Sequence, residues 1–564
     1  MKNLTGIKKL RPYLNKRIGL LIFIFILAIV TAILNVLPIQ IIGIITDLLC
    51  KTKITPLKQY IINITGTSIV NFIFLFLLIY VVQGVLGTLY GYIVSDLNNK
   101  IISEVRADAY SWILNNNKFH EQFKIGDTIS RLTNDIEAIT RTVADPLNGL
   151  LVDLLTLIVS LYIFLLWDVR LALISLLGIP IIYFMSKWIA TENHNITVKE
   201  RERIGDISEY LSDVLINFPL IKSYKTDIKE KAIFNNINKD IYSYRKNVLK
   251  KFNIYWPVIY IINGLGTAIV VYIVYLSVLK GNLSAGDVIV AYTYITKIYR
   301  PIVLLSRFGN DISMADASIT RVFQLENLFI NEKENSFIYK PLTKLKALEL
   351  ELKNLTIANK QTLVVKDINL MVKANTLITI YGESGKGKSS IINSLVGFTN
   401  IVSGQILINN IDCTNKLSLR RSLIRVCFQN PHIFKRKLDE NIYYNAEEHV
   451  NSKIFKKAYN NLGMLKLCNE KGQNSNLGGI NNSLSGGEKK RLAICRTLNK
   501  YSPIYVFDEP TSELDDENRH KVKFILEDLK KEATVIVVTH DKSLMDISNE
   551  IYYIEQNQLK KYLG

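Results

Sequence analysis

Six long apolar stretches lie within the first 310 residues, and they leave few folds open to the chain. A helix needs about 20 apolar residues to cross a bilayer. The stretches occupy residues 18–46, 66–95, 143–166, 170–190, 254–279 and 285–306. Six buried helices of this length in a soluble protein would need a core larger than ordinary domains contain. The sequence therefore predicts a transmembrane domain, a membrane α-helical bundle of six transmembrane helices, over residues 1–330.

The first apolar stretch, "IGLLIFIFILAIVTAIL", follows a cluster of basic residues: Lys8, Lys9, Arg11, Lys16 and Arg17. It resembles the apolar region of a signal peptide, but it is too long and lacks a small-residue cleavage site. Basic flanks favour the cytoplasmic side, and six is an even number of spans. Both termini are therefore predicted in the cytoplasm of a multi-pass plasma-membrane protein. The usage of Ile, Lys and Asn points to a bacterial source with an AT-rich genome.

The connections between the apolar stretches fall into two kinds. "WDVR" (167–170) and "LKGNLSAG" (279–286) are long enough only for tight outer turns. Residues 96–142 and 191–253 are long, charged and patterned as helices. These two segments are predicted to extend the spans into the cytoplasm as coupling regions.

The formal charge of +19 raises the question of a nucleic-acid partner. No aromatic-and-basic recognition pattern accompanies that charge, and cytoplasmic loops of membrane proteins also collect Lys and Arg. We therefore expect no nucleic acid. The five cysteines form no CxxC pair and no metal-ligand spacing, which indicates a reducing compartment for the second half.

From about residue 340 the pattern changes to short strands that alternate with helices, as in a parallel-sheet nucleotide domain. The strand "NTLITIY" (375–381) leads into a sequence that fits G-x-x-x-x-G-K-[ST], the P-loop. In such a loop Lys388 reaches the phosphate oxygens and the Ser389 hydroxyl can bind Mg²⁺. The residues predicted to bind nucleotide here are Gly382, Glu383, Ser384, Gly385, Lys386, Gly387, Lys388, Ser389 and Ser390. Residues 340–564 are thus predicted to form an α/β P-loop domain.

Two more predicted strands end in polar residues. "PIYVFDEPTSELDD" (503–516) places Asp508 and Glu509 at a strand end, and "ATVIVVTHD" (533–541) does the same for His540. Carboxyl ends of parallel strands meet at one edge of a sheet. Asp508 is therefore predicted to help hold Mg²⁺ and Glu509 to polarise the attacking water.

A second glycine-rich stretch lies in "NSLSGGEKKRLAICRTL" (482–498), where Ser485, Gly486 and Gly487 precede a helix-like run. Bare backbone amides at the start of a helix favour an anion. The chain thus offers two places for a phosphate, about a hundred residues apart.

In this order the elements resemble the nucleotide-binding domain of ATP-binding cassette (ABC) transporters. "LSGGE" resembles the signature motif of that family, Gln429 in "VCFQNPHIF" the Q-loop glutamine, "SELD" (512–515) the D-loop and His540 the switch histidine. The resemblance implies ATP and Mg²⁺ as cofactors. It also implies Gln429, Ser389 and Asp508 as metal ligands, with Lys388, Glu509 and His540 as the catalytic residues.

The first half resembles the six-span exporter type. "FHEQFKIGDTISRLTNDIEAI" (119–139) and "LINFPLIKSYKTD" (215–227) are similar to its two coupling-helix segments, and "GNLSAGDVIVAYTYITKIYRPI" (281–302) to the start of its sixth span. Fusion of a membrane half to one cassette implies an exporter half-molecule. In this family the signature of one subunit faces the nucleotide on the P-loop of the other, so the resemblance implies a dimer. We expect a second copy of the chain, or a related chain, as partner.

Three positions depart from the family pattern. The usual signature glutamine is Glu488, which brings a carboxylate toward a polyphosphate. "NLTIANKQ" (354–361) lacks the aromatic that stacks on adenine, and Asn359 takes its expected place. Gly479 stands where an acidic residue usually precedes the signature. The first departure predicts weaker closure. The second predicts either a lower affinity for the base or affinity supplied by other residues, and the third predicts looser coupling.

The sequence says less about the substrate. Polar groups within spans usually face a bundle interior or water, and the candidates singled out in the predicted spans are Asn35, Asn71, Asp153 and Asn263. Asp153 fits a solvated cytoplasmic extension of its helix equally well. The spans begin near residue 18, so no N-terminal peptidase domain is expected. A bacteriocin-like peptide is the first expectation, with a multidrug or lipid exporter as the alternative.

An alternative of another class is a nucleotide-gated channel or sensor, which would bind ATP without turnover. Glu509 favours an ATP-hydrolysing translocase, because a gate can dispense with a general base.

Overall fold

A computed structural model describes residues 5–52, 54–115, 125–330, 346–359, 362–382, 387–444, 453–471, 477 and 484–562. The chain divides into two compact units, one within residues 1–329 and one that includes residues 330–564. The predicted residues Glu383, Ser384, Gly385, Lys386 and Gly479 lie outside the described part.

The described residues of the first unit form helices and the turns that join them. Its α-helices are α1 (Thr5–Lys9), α2 (Arg11–Asn15), α3 (Ile18–Cys50), α4 (Pro56–Thr65), α5 (Ile69–Leu114), α6 (Ile125–Ser130), α7 (Ile136–Thr142), α8 (Val152–Trp167), α9 (Val169–Leu176), α10 (Gly178–Ile216), α11 (Phe218–Tyr224), α12 (Asp227–Leu279) and α13 (Ala285–Ile330). Two π-helical turns, Arg131–Asp135 and Pro146–Leu151, lie within the run from α6 to α8.

Four helical stretches of the described chain are long and apolar enough to cross a membrane: Ile18–Cys50, Ile69–Leu114, Ile125–Trp167 and Pro257–Leu279. The other two expected spans are helical as well. The one at 170–190 runs from α9 into α10, where Val169–Ile181 is a shorter apolar helix. The one at 285–306 begins α13 and carries Asp287, Lys297 and Arg300. That these two helices also cross the membrane, which would make six spans, remains a prediction.

Several helices continue far beyond a bilayer's thickness. At 1.5 Å per residue, about 20 residues cross the hydrocarbon core, whereas α5 has 46 residues and α12 has 53. The extra length carries the charged segments that the sequence placed between the spans. Asp168 ends α8 and caps α9, since its carboxylate accepts a hydrogen bond from the Arg170 amide, so the turn there is as short as predicted.

A proline in α3 shapes the contacts of the first span. Pro38 lacks an amide hydrogen, so the carbonyl oxygen of Leu34 receives no hydrogen bond from it, and Asn35 in the same turn contacts other helices. Lys297 of α13 donates to the carbonyl oxygen of Asn35 over 2.8 Å, and the Gln83 amide donates to the Asn35 side chain over 2.5 Å. Asn35, one of the predicted intramembrane polar residues, thus lies among helices. Asp153 lies in the first turn of α8, and whether it lines a pathway remains a prediction.

A buried ionic cluster joins the end of α3, the start of α4 and the start of α13. The Lys58 ammonium lies 2.6 Å from Asp47 and 2.7 Å from Asp287, and all three side chains are fully buried. Ser284 accepts from Lys58 over 2.9 Å and donates to Asp47 over 2.8 Å. Two carboxyl groups therefore share one ammonium.

The second unit contains two sheets. A six-stranded sheet has the order β10-β9-β3-β8-β7-β6, parallel except at β10, and a four-stranded antiparallel sheet has the order β2-β1-β4-β5. The strands are β1 (Leu350–Asn359), β2 (Thr362–Val372), β3 (Leu377–Tyr381), β4 (Asn400–Ile408), β5 (Ile411–Asp412), β6 (Ile424–Cys427), β7 (Ile504–Asp508), β8 (Thr534–Thr539), β9 (Glu550–Glu555) and β10 (Gln558–Lys561).

The helices of this unit flank the sheets. They are α14 (Lys388–Leu395), α15 (Leu417–Leu423), α16 (Leu438–Ile442), α17 (Lys453–Asn461), α18 (Met464–Lys471), α19 (Gly486–Leu498), α20 (Asp516–Leu529) and the 3₁₀ helix Lys542–Ile547. Strands β7 and β8 are buried along their whole length, as a parallel sheet covered on both faces requires. Their carboxyl ends carry the predicted site residues.

Candidate functional site

The P-loop connects β3 to α14. Gly387 has φ +91° and caps α14, and a Cβ at this position would lie 2.7 Å from the Val365 side chain. Only glycine fits a left-handed conformation so close to another side chain. The Lys388 ammonium donates to the Gly382 carbonyl oxygen, and the side chain is buried. The two ends of the loop are therefore tied together across the undescribed residues 383–386.

The Ser389 hydroxyl donates to Asp508 Oδ2 over 3.0 Å, which joins the start of α14 to the end of β7. Asp508 is 4% exposed, and its burial raises the pKa of the carboxyl above the ordinary value; the charge of Glu509 adds to the rise. A hydroxyl beside a buried carboxylate suits a hard cation such as Mg²⁺, which takes oxygen ligands and keeps phosphate or water oxygens for the rest.

Glu509 follows β7 in a left-handed conformation, with φ +49°, and its amide donates to Val538 of β8 over 2.8 Å. The His540 Nδ1 lies 2.8 Å from Glu509 Oε2. The Thr539 hydroxyl donates to the same oxygen over 3.3 Å. Glu509 is 5% exposed. The structure thus brings two of the predicted catalytic residues into contact and holds the carboxylate in one orientation.

The signature segment begins α19 with a capping box. The Ser485 hydroxyl accepts from the Glu488 amide over 3.3 Å, and the Glu488 carboxylate accepts from the Ser485 amide over 2.7 Å. The Glu488 carboxylate, which replaces the family's glutamine, therefore accepts a hydrogen bond from one of the amides that are free at the start of the helix. A phosphate that reaches this amide must displace Glu488.

The two signature glycines leave room for the D-loop. A Cβ on Gly486 would lie 2.1 Å from the Glu513 carboxylate, and one on Gly487 would lie 2.9 Å from the Glu513 carbonyl oxygen. Ser512, next to Glu513, donates its hydroxyl to the Glu509 carbonyl oxygen over 2.9 Å. The signature and the segment that follows Glu509 are therefore in contact in space within a single copy of the chain.

Lys490 is a residue that the sequence reasoning missed. Its side chain is 1% exposed, and its ammonium donates to the Gln429 carbonyl oxygen over 2.7 Å and reaches that of Asp508 at 3.5 Å. Burial lowers the pKa of this ammonium. A helical period would have placed it on one face with the buried residues Ala493, Ile494 and Thr497, and this was the available signal.

The remaining predicted residues belong to several elements, some in each of the two units. Gln429 follows β6 and is exposed, while Ser390 lies in the first turn of α14. Asn359 ends β1, which places its backbone but not its side chain. The second coupling segment forms α11, and the described part of the first, from residue 125, forms α6, a π-turn and α7. Roles for all of these residues remain predictions.

Two family models match the chain, in the order that the sequence predicts. The model described as "ABC transporter transmembrane region" matches residues 21–302, half of the chain, and the one described as "ABC transporter" matches residues 365–512. This chain belongs to the ABC transporter family. The second match contains the P-loop, the signature and the Asp508-Glu509 pair of this transporter.

Curated relatives resemble the ABC transporter over most of its length. The "ATP-dependent lipid A-core flippase" of Syntrophus aciditrophicus is 25% identical over 489 residues, covering 86% of this transporter and 80% of that protein. The protein of the same name from Wigglesworthia glossinidia brevipalpis is 26% identical over 491 residues, covering 85% and 83%. A solved bacterial Atm1-family ABC exporter with ATP bound has a TM-score of 0.77 at 19% identity, covering 97% and 94%.

These comparisons confirm the predicted fold class, an exporter-type transmembrane helical domain fused to an α/β nucleotide-binding domain. The ABC transporter is an ATP-hydrolysing membrane transporter of the exporter type. Its membrane helices and its bacterial relatives place it in a membrane as a multi-pass protein.

Proposed function

We propose that two copies of this chain form an exporter that moves a lipid across a bacterial inner membrane at the expense of ATP. One observation carries the proposal: Lys388, Asp508 and Glu509 lie at one edge of the sheet, where each contacts another predicted site residue. The same chain contains helices that can span a membrane. Residues 1–330 serve as the transmembrane domain and 340–564 as the ATP-binding cassette. Both termini lie in the cytoplasm.

Each residue at the edge has a part in hydrolysis. The P-loop amides and Lys388 hold the β- and γ-phosphates, and Lys388 must exchange its Gly382 carbonyl for phosphate oxygens. Ser389, Asp508 and Gln429 would hold Mg²⁺, which neutralises phosphate charge when bound. Glu509 orients and deprotonates the attacking water, and His540 keeps its carboxylate in place through the 2.8 Å contact.

A lipid substrate has more support than the peptide that the sequence favoured first. The relatives named ATP-dependent lipid A-core flippases match 85–86% of this chain, so the likeness includes the membrane half, where a substrate binds. The lipid alternative therefore replaces the peptide as our main proposal.

The dimer follows from the two anion-binding loops. A γ-phosphate has few free oxygens, so a second anion-binding loop in the same chain has little left to bind at its own nucleotide. If two chains pair about a two-fold axis, the P-loop of one and the signature loop of the other can bind the same nucleotide. Ser485, Gly486 and Gly487 of one copy then face the nucleotide on the Lys388 loop of the other. ATP joins the copies and hydrolysis releases them.

The test uses the full chain in nanodiscs and in liposomes. We expect ATP turnover that rises when bacterial lipids replace a synthetic neutral lipid, and ATP-dependent movement of a fluorescent lipid between leaflets that Glu509→Gln abolishes. Stimulation by added peptides with no lipid movement would favour the peptide exporter. Zero turnover under every condition would favour the gated channel.

A further inference from the structure

Helix α19 carries a fully buried ammonium, that of Lys490, and a buried charge in a core calls for a specific reason. Lys490 is 1% exposed. Among the described residues it forms no salt bridge, and its two hydrogen-bond partners are backbone carbonyl oxygens, of Gln429 at 2.7 Å and of Asp508 at 3.5 Å. An apolar side chain would fill the same space without the desolvation cost.

The two carbonyls belong to the ends of neighbouring strands. Gln429 comes two residues after β6 ends at Cys427, and Asp508 is the last residue of β7. The carboxylates of Asp508, Glu513 and Glu509 contribute negative potential at the ammonium. This potential offsets part of the cost of burying the ammonium, and at this position one group can hold two strand ends.

The same helix holds the loop after β6 at a second point. Arg496, six residues further along α19, donates to the His432 carbonyl oxygen over 2.7 Å and to Asn441 through two more hydrogen bonds. Gln429 itself is exposed, and among the described residues its side chain has no hydrogen-bond partner, so its placement depends on its backbone. Helix α19, which starts at the signature, thus carries the Gln429 loop.

We propose that Lys490 is a positioning residue: its ammonium ties the backbone of Gln429 to the signature helix and to the end of β7, and so sets the distance of Gln429 from Asp508. The inference rests on the proposed function, in which both residues face Mg²⁺. In the dimer, a phosphate that moves Ser485 of one site then also moves Gln429 of the other site through one helix.

The experiment compares three variants of the full chain in nanodiscs. Lys490→Met keeps the length of the side chain but removes the donor and the charge, Lys490→Gln keeps a donor, and Lys489→Met changes the exposed neighbouring lysine. Amide hydrogen exchange of peptides covering 428–433 is measured without nucleotide, and kcat, KM for ATP and the Mg²⁺ concentration for half-maximal turnover are measured separately.

For Lys490→Met we expect exchange at 428–433 to rise about 10-fold, as for one lost hydrogen bond to a charged group. We also expect kcat to fall about 10-fold with KM for ATP within about twofold, since the Lys388 loop is intact. Half-maximal Mg²⁺ should rise. Lys490→Gln should recover much of the exchange protection, and Lys489→Met should match the unchanged chain.

Two results would overturn the proposal. The first is unchanged exchange at 428–433 in Lys490→Met. The second is faster exchange throughout α19 and β7, which would make Lys490 a packing residue only. If the unchanged chain hydrolyses no ATP, the proposed function fails, while the exchange measurement still decides the role of Lys490.

Discussion

His540 Nδ1 lies 2.8 Å from Glu509 Oε2, so the imidazole that follows strand β8 orients the carboxylate that follows the neighbouring strand β7. Glu509 is in a left-handed conformation that few residues other than glycine adopt, at φ +49°. Strain of this kind persists where surrounding contacts hold it, and here the Val538 carbonyl and the Thr539 hydroxyl do so. The arrangement suits a group that must point at one water.

The first prediction concerns Glu509→Gln. The amide keeps the shape and can keep a contact with His540, but it cannot accept a proton. General bases contribute about 10²–10⁴-fold, so turnover should fall by that factor while ATP binding stays intact and the dimer remains closed. Single-turnover hydrolysis and nucleotide occlusion measure this. Turnover near the unchanged level would remove Glu509 from the role of base.

The second prediction tests whether two chains share each site. A chain with Lys388→Ala and a chain with Ser485→Arg should each form homodimers with both sites damaged. In a mixed dimer both lesions fall in one site and the other is intact, and random pairing puts roughly half of the dimers in this class. Mixing should therefore restore nucleotide occlusion to that fraction.

Exchange of subunits without any recovered occlusion would contradict the shared site, as would full activity of an isolated Ser485→Arg chain. Purification only with a second, different subunit would show that the natural partner is another chain. In that case the same pair of lesions should be placed on the two chains separately.

The third prediction concerns the buried cluster of Lys58, Asp47 and Asp287. Lys58→Met leaves two buried carboxylates without their cation, which costs about 3–5 kcal/mol. Asp287→Asn leaves Lys58 paired with Asp47 and should cost much less. Thermal aggregation of the chain in detergent, followed by size-exclusion chromatography, compares the two. Equal losses in both variants would show that charge does not stabilise the cluster.

The fourth prediction concerns α11, the segment that resembles the second coupling helix. Phe218 and Tyr224 are 49% and 73% exposed, and no residue of α11 is buried. Alanine at either position should therefore leave the helical unit folded but separate lipid movement from hydrolysis. Alanine at Tyr242, which is 65% exposed on α12, is the matched control. A proportional fall of transport and hydrolysis would indicate unfolding instead.

Local patterns in the sequence were enough to predict the strand ends at the site. Asp508 ends one apolar strand, and Glu509 and His540 directly follow neighbouring strands, so the parallel sheet brings the three together without further information. The apolar runs likewise predicted the helices of the first unit. Each of these predictions depends only on residues that are close together in the sequence, within a single strand or helix and the loop after it.

Contacts between distant residues could not be predicted in this way. Ser284 and Asp47 are 237 positions apart, and only the packing of α13 against α3 shows that they share Lys58. The Lys490 ammonium reaches back 61 positions to Gln429. The capping role of Glu488, by contrast, is predictable from the sequence, since Ser485 and Glu488 have the spacing of a capping box.

The capping box at Ser485 affects the free energy that a phosphate would gain when two copies of the chain close around it. With the Glu488 carboxylate already on the Ser485 amide, an arriving phosphate replaces one anion by another, and the free energy of closure becomes a difference between two similar hydrogen bonds. An exchange of this kind has a small net driving force and is easily reversed. The start of helix α19 thus carries a built-in competitor for the phosphate, the Glu488 carboxylate, and a substitution at this one residue would change the affinity of the helix for the phosphate.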